Sequence, residues 1–131
     1  MTPRPRPTFD HVRASLHNDV LVLTFLDAEL ADDEMVHSLR MELLTAVNDQ
    51  AVHKVVLDLR NVTYLSSAAL RPFLSLKQQM KERGGRVLLC GLAPVLAEVF
   101  RVTRLIEQDQ GLPGIFETVA DVPAALAQLA K

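Results

Sequence analysis

The chain has 131 residues, of which 49% are hydrophobic, and 14 basic against 16 acidic side chains give a formal net charge of −2. This length fits a single domain with a substantial apolar core. The nearly neutral charge argues against a dedicated nucleic-acid surface and against binding to anionic membranes.

The sequence also limits the compartment. No apolar run approaches the roughly 18 residues needed to span a bilayer, and the N-terminus lacks the apolar core of a signal peptide. Cys90 is the only cysteine, so an intramolecular disulfide is impossible and a reducing compartment fits. We therefore expect a cytoplasmic protein without membrane insertion, in which Cys90 is a small core residue.

The beginning of the chain predicts an arm and a β-hairpin. Residues 1–8 alternate proline with threonine and arginine, and we interpret them as a flexible arm before one domain at 9–131. Residues 9–16 are typical of an edge strand and residues 20–26 of a buried strand. His17-Asn18-Asp19 lies between them and predicts a turn, because Asn and Asp tolerate positive φ.

A loop at Asp27–Ala31 leads into a predicted amphipathic helix. Asp32, Asp33 and Glu34 would complement the positive end of the helix dipole, and Asp32 can act as the N-cap. The helix is predicted to stop near Asn48. Its apolar positions recur at a spacing of three or four residues and are Val36, Leu39, Leu43 and Val47.

The centre of the chain predicts a strand, a helix and a second strand. Residues 55–59 form a short run rich in β-branched side chains, which is typical of a strand covered on both faces. After a connection at 61–64, residues 70–80 show helical spacing of apolar side chains. Gly84-Gly85 ends this helix before a strand at 86–90. We expect the two strands to be parallel neighbours in one sheet.

The last third of the chain predicts a short helix from Pro94, an irregular polar segment at 103–111, a strand at 115–119 and a helix at 121–129 capped by Asp121. The complete order is β-β-α-β-α-β-α-β-α, with short crossovers. It predicts an α/β fold with a mixed, partly parallel sheet and helices packed against it. The residues expected in the core are Leu57, Leu59, Phe73, Leu74, Leu88, Val99 and Phe100.

No motif in the sequence indicates catalysis. The four histidines have no metal-ligand spacing, and HExxH, CxxC and a phosphate-binding glycine loop are absent. Leu65–Ala69 lacks the flanking glycines of a hydrolase nucleophile elbow. Asp58 has no carboxylate partner in the sequence and is interpreted as a structural strand residue that accepts backbone N–H bonds. We expect no enzymatic activity, no metal and no cofactor.

Ser66 and Ser67 lie where strand gives way to helix, at the carboxyl edge of the predicted sheet, where open α/β sheets place their binding sites. Serine is also a good N-cap, so helix capping competes with a functional hydroxyl. Pro72 constrains the choice, because proline is tolerated only in the first four helical positions. The helix therefore starts from a cap at Ala68 or later, or its first turn is distorted.

Several segments together resemble the STAS domain family, which contains the bacterial anti-sigma factor antagonists. The resemblance extends from about Phe9 to Leu129. It implies a mixed sheet with helices mainly on one side, no chemistry of its own, and a protein partner, typically a kinase-fold anti-sigma factor. The segments that carry the resemblance are Val55–Leu59, Val62–Leu70, Gly84-Gly85 before a strand, Ala93–Val95, Val99-Phe100 and Leu105-Ile106.

The family is switched by phosphorylation of a serine or threonine in a turn that usually is Asp-Ser-Ser/Thr-Gly. The resemblance makes Ser67 the phosphorylation candidate, with Ser66 as second choice, and implies a partner surface of Ser66, Ser67, Ala68, Ala69 and Arg71. Ser66, Ala68 and Ala69 replace the acid, the second hydroxyl and the glycine. Two functions stay open: a partner-switching regulator, and a constitutive accessory subunit of a transporter ATPase or sensory complex that is not phosphorylated. We expect a monomer or weak dimer.

Overall fold

The computed structural model describes residues 9–50, 52–102 and 116–130. The predicted arm at 1–8, the segment at 103–111 and the start of the last predicted strand lie outside these ranges. In chain order, the elements are β1 (Val12–His17), β2 (Val20–Phe25), β3 (Glu29–Leu30), α1 (Asp33–Gln50), β4 (Lys54–Asp58), β5 (Tyr64–Leu65), a 3₁₀ turn (Ser67–Ala69), α2 (Leu70–Glu82), β6 (Arg86–Cys90), α3 (Pro94–Val102), β7 (Glu117–Val119) and α4 (Val122–Leu129).

A five-stranded sheet with the order β1-β2-β4-β6-β7 forms the centre of the fold. β1 is an edge strand antiparallel to β2, and the other neighbours are parallel. Strands β4 and β6 pair from Lys54 opposite Arg86 to Asp58 opposite Cys90. The predicted parallel strand-helix-strand unit is therefore confirmed.

Helices cover both faces of this sheet unequally. Val55 and Leu57 of β4 point into the larger core with α1, α2 and α3, whereas Val56 points into a smaller core with α4. This alternation follows from the period of two along a strand, and it explains why the whole apolar run is buried. The structure confirms a mixed α/β fold with helices mainly on one face.

Most of the predicted core is confirmed. Three phenylalanine rings link β2, α2 and α3: Phe73 stacks on Phe25 and meets Phe100 edge-on, with ring centroids 5.4 Å apart in both pairs. Val99 is only partly buried. Leu74 is 40% exposed, so its assignment to the core was wrong. It follows Phe73 by about 100° around the helix and lies on the outer side of α2.

The predicted turn at Asn18 and the predicted helix caps at Asp32 and Asp121 are present in the structure. Asn18 has a φ of +56° in the two-residue turn between β1 and β2. The carboxylate of Asp32 accepts a hydrogen bond from Met35 N at 3.1 Å, and that of Asp121 accepts one from Ala124 N at 2.9 Å. Helix α1 runs to Gln50, two residues past the stop predicted at Asn48.

A second sheet was missed by the sequence analysis. β3 and β5 form a two-stranded parallel sheet, with Glu29 opposite Tyr64 and Leu30 opposite Leu65. These residues fall within or beside segments predicted as a loop and a connection, so that prediction was wrong for them. Strands of two residues are too short to show periodicity, so their pairing depends on tertiary contacts.

Candidate functional site

The turn that contains Ser66 and Ser67 is held between the small sheet and α2. On its N-terminal side, Ser66 N donates a hydrogen bond to Leu30 O at 2.9 Å, which extends the β3–β5 pairing by one residue. The 3₁₀ turn at Ser67–Ala69 follows directly, and α2 begins at Leu70. Pro72 is thus the third residue of α2, where its missing N–H costs no helical hydrogen bond. Both alternatives derived from Pro72 are found, because α2 has its own N-cap at Ala69 and a 3₁₀ turn precedes it.

The two serines have different roles in this turn. Ser66 is the N-cap: its backbone is extended, and its Oγ accepts a hydrogen bond from Ala69 N at 3.3 Å. Ser67 is exposed, and its hydroxyl makes no hydrogen bond to any residue that the structure describes. Capping is therefore assigned to Ser66, which leaves the Ser67 hydroxyl available to solvent.

The other predicted partner-binding residues differ in their exposure to solvent. Arg71 is exposed and Ala68 is half-buried, so both can contribute to a surface. Ala69 is completely buried in the larger core. The methyl group that replaces the family's glycine therefore faces the interior, and Ala69 is withdrawn as a side-chain contact for a partner.

Large apolar side chains are exposed on β5, which precedes this turn, and on α3, which contacts β5. Tyr64 of β5 is 53% exposed and Val95 in the first turn of α3 is 61% exposed. Helix α3 contacts β5, so these two side chains belong to neighbouring elements. Tyr64 was not predicted as a site residue, although its position three residues before Ser67 was an available signal. Exposed aromatic and apolar groups are typical of protein-binding surfaces.

Asp58 lies at the carboxyl end of β4 and has a structural role, as predicted. It is 2% exposed, and its Oδ1 accepts a hydrogen bond from Arg60 N at 3.2 Å. Its Oδ2 lies 3.2 Å from Arg60 Nε and 3.5 Å from Thr24 Oγ1. The carboxylate thus holds the start of the β4–β5 connection through Arg60 and also contacts β2 through Thr24.

Cys90, beside Asp58 in the sheet, is a buried core residue. Burial raises the pKa of the Cys90 thiol from 9.0 to about 12, and the nearby carboxylates of Asp58 and Asp121 add to this shift. A thiol that stays protonated is a poor nucleophile, so Cys90 is not suited to covalent catalysis.

Within residues 9–50, 52–102 and 116–130, no group of three or more His, Cys, Asp or Glu side chains is placed to hold a metal ion. None of the helices in the same ranges is long and apolar enough to cross a membrane.

The fold is that of a STAS domain. The sequence model of that family, described as STAS domain, matches residues 12–122, and the chain belongs to the STAS domain family. A curated relative, the candidate anti-sigma factor antagonist BtrV of Bordetella bronchiseptica, is 40% identical over 60 residues. This match covers 46% of the chain and 52% of BtrV, so the chain spans about half the length of that relative.

Solved structures show the same fold. A candidate anti-sigma factor antagonist from Thermotoga maritima superposes with a TM-score of 0.76 at 17% identity, over 92% of this chain and 95% of that one. The Bacillus cell fate determinant SpoIIAA in its phosphorylated form gives a TM-score of 0.65 at 16% identity, over 92% and 99%. Identities this low establish the common fold alone.

Proposed function

We propose that this chain is a non-enzymatic protein-interaction domain that acts like an anti-sigma factor antagonist. It binds a kinase-fold anti-sigma factor or a related regulator in a partner-switching system, and phosphorylation of Ser67 controls that binding. The observation that carries the proposal is that the two serines of the turn have different roles. Ser66 caps the 3₁₀ turn before α2, whereas Ser67 presents an exposed hydroxyl without a structural hydrogen bond.

The same geometry supports a switch. A phosphate on Ser67 would add about −1.5 to −2 charges at pH 7, next to the N-terminal end of α2. The positive end of the α2 dipole favours negative charge, so the fold would tolerate the modification. A partner surface that fits a neutral serine would instead meet a bulky dianion. Phosphorylation is thus expected to weaken binding while leaving the domain folded.

The surroundings of Ser67 support a protein partner rather than a small molecule. Tyr64 and Val95 provide exposed apolar area, and Arg71 adds a planar cation one helical turn after Ser67. Aromatic residues and arginine are enriched in the energetically important parts of protein interfaces. We include Ser66, Ser67, Ala68 and Arg71 in the proposed partner surface.

The test begins with co-purification of the full chain from its native host, followed by mass spectrometry to identify both the partner and any phosphosite. The affinity of that partner is then measured for the wild type, Ser67→Glu and Ser67→Ala. We expect Ser67→Glu to weaken binding at least tenfold, and Ser67→Ala to bind like the wild type because the unmodified form is competent. Thermal melting must show that both variants stay folded.

A constitutive accessory subunit of a transporter ATPase or sensory complex is the second candidate. It is favoured by the turn itself, in which Ser66 and Ala69 replace the acid and glycine usual in the family. This function predicts that neither serine carries phosphate under any growth condition. It also predicts that Ser67→Glu binds the partner with wild-type affinity, which would refute the switch.

A further inference from the structure

A groove runs between α1 and α2, starting at the Ser67 turn. Its first part has a volume of about 550 Å³ and includes Ala68 and Arg71 in its lining. A second part of about 450 Å³ continues toward Glu82 at the end of α2. The two parts share Arg40, Leu74 and Ser75, so they form one continuous feature, named here the α1–α2 groove.

The groove contains two arginines that lack a carboxylate partner among the described residues. Arg40 donates only a hydrogen bond from Nε to Ser75 Oγ at 3.1 Å, and Arg71 is exposed without an ion pair. Elsewhere, Arg60 and Arg86 pair with Asp58 and Glu117, at 3.2 Å and 2.7 Å. Arg101 likewise pairs with Glu98. Two unpaired guanidinium groups in one groove favour an anionic ligand.

The acidic residues of the groove lie at its two ends. Asp33 is at the start of α1, and Glu82 is the last residue of α2, where it accepts a hydrogen bond from Gln78 Nε2 at 3.3 Å. His37 is the remaining titratable group in the lining. The lining therefore contains two arginines and two carboxylates, and neither carboxylate forms an ion pair with Arg40 or Arg71.

The same stretch offers apolar contact. Leu74, which was expected in the core, is 40% exposed and lies in both parts of the groove. Val36 and Pro72 are buried residues of the lining and provide an apolar floor at the end near Ser67. A ligand must therefore combine negative charge with apolar side chains.

We propose that the α1–α2 groove docks an acidic amphipathic helix of the protein partner. Carboxylates of that helix would pair with Arg40 and Arg71, and an apolar side chain would cover Leu74. Grooves between helices accept such helices through anchors spaced by three and four residues. Helix α2 has 13 residues, about 20 Å, which is enough for about three turns of a docked helix. The inference rests on the proposed function and specifies the chemistry of its partner.

This docking mode links the groove to Ser67. The groove begins at Ala68, the residue after Ser67, and Arg71 follows one turn later. A phosphate on Ser67 would compete with the docked carboxylates for Arg71 and would repel them. Part of the effect of phosphorylation would then be electrostatic and would weaken as salt increases.

The test uses two fluorescein-labelled synthetic peptides of about 15 residues, blocked at both ends. They share leucines at helical spacing, and their remaining positions are glutamate in one and lysine in the other. Binding to the full chain is measured by fluorescence anisotropy at low ionic strength, and the site is mapped by NMR chemical shifts. We expect the glutamate peptide to bind and to shift the amide signals of Arg40, Arg71 and Leu74.

Single charge reversals identify the groove. Arg40→Glu and Arg71→Glu should each weaken the glutamate peptide by about fivefold to tenfold, and Leu74→Ala should also weaken it. Arg13→Glu is the matched control, because Arg13 is an exposed arginine on the edge strand β1 and its reversal changes the net charge equally. Arg40→Gln and Arg71→Gln remove the positive charge without adding a negative one. They should give intermediate losses, which would show that the effect of the glutamate variants is not repulsion alone.

Three outcomes would overturn the inference: no binding of the glutamate peptide, equal binding of the lysine peptide, or equal losses for Arg13→Glu and Arg40→Glu. This assay requires neither the native partner nor a change at Ser67. A failed Ser67→Glu experiment would refute the switch and leave the groove result intact. A failed peptide assay would refute the groove and leave the switch intact.

Discussion

Phe73 provides a stringent test of the packing around the serine turn. Its ring is completely buried, stacked on Phe25 with an interplanar angle of 12° and edge-on to Phe100 at 83°. It thus connects α2, which follows Ser67, to β2 and α3. Phe73→Ala removes the shared ring from both pairs and leaves a cavity at the centre of the larger core.

The cost can be estimated from these contacts. Truncation of a buried phenylalanine to alanine typically costs about 3–5 kcal/mol, from lost transfer free energy and the cavity. The two ring pairs contribute about 0.5–1.5 kcal/mol each, so a value in the upper half of that range is expected. Since a domain of this kind has about 5–15 kcal/mol of stability, the variant would be strongly destabilised.

Urea unfolding followed by circular dichroism measures this effect. With a slope of about 1–3 kcal/mol per molar urea, the midpoint of Phe73→Ala should fall by about 2 M. Leu74→Ala is the matched control, since it alters the next residue of the same helix on its exposed side, and it should cost less than about 1 kcal/mol. If Phe73→Ala does not fold, Phe73→Leu should still cost about 1–2 kcal/mol. Equal midpoints for Phe73→Ala and Leu74→Ala would refute the assigned helix face.

Three further changes test the site and its supports. Ser66→Ala should lower the free energy of unfolding by about 1 kcal/mol and Ser67→Ala by much less, as measured by urea unfolding; the reverse order would contradict the cap assignment. Gly91→Ala should lower the free energy of unfolding more than Gly84→Ala does. Both glycines have φ near +70°, but a Cβ at residue 91 would lie 2.9 Å from a backbone nitrogen, whereas one at residue 84 would meet nothing within 4 Å. Because the folded-state pKa of Cys90 is raised to about 12 from 9.0, the unfolded thiol ionises first, so stability should fall by about 1.4 kcal/mol per pH unit between these values. Cys90→Ala should remove this contribution to the pH dependence of stability. If wild type and Cys90→Ala lose stability equally from pH 9 to 11 in unfolding experiments, the prediction is contradicted.

The larger elements could be predicted because each has its own local signal. The β-branched run at 55–59 defines a doubly covered strand, and Asp32 and Asp121 mark helix starts with caps that the structure confirms. Leu74 was misplaced because an apolar residue at approximately helical spacing was assumed to face the core. Leu74 also shares a three-to-four spacing with Arg71 and Gln78, which are exposed. These polar neighbours indicated the side of α2 on which Leu74 lies better than its own hydrophobicity did.

The site was less accessible to sequence reasoning. The pairing of β3 with β5 joins residues more than thirty positions apart through two residues each, and no local pattern encodes it. The choice between capping and a functional hydroxyl could not be made from the sequence, because both serines have the same chemistry. The structure separates them only through which Oγ reaches Ala69 N.

Pro72 explains why the exposed hydroxyl is Ser67 rather than Ser66. A regular α-helix capped at Ser66 would make Pro72 its sixth residue and would lose a backbone hydrogen bond. The 3₁₀ turn avoids this loss, because it places Pro72 third in α2 while Ser66 still caps the turn. The β3–β5 pairing fixes Ser66 through its hydrogen bond to Leu30 O, so the turn cannot shift by one residue without breaking that bond. Ser67 is consequently placed after the cap and before the helix, at the start of the α1–α2 groove.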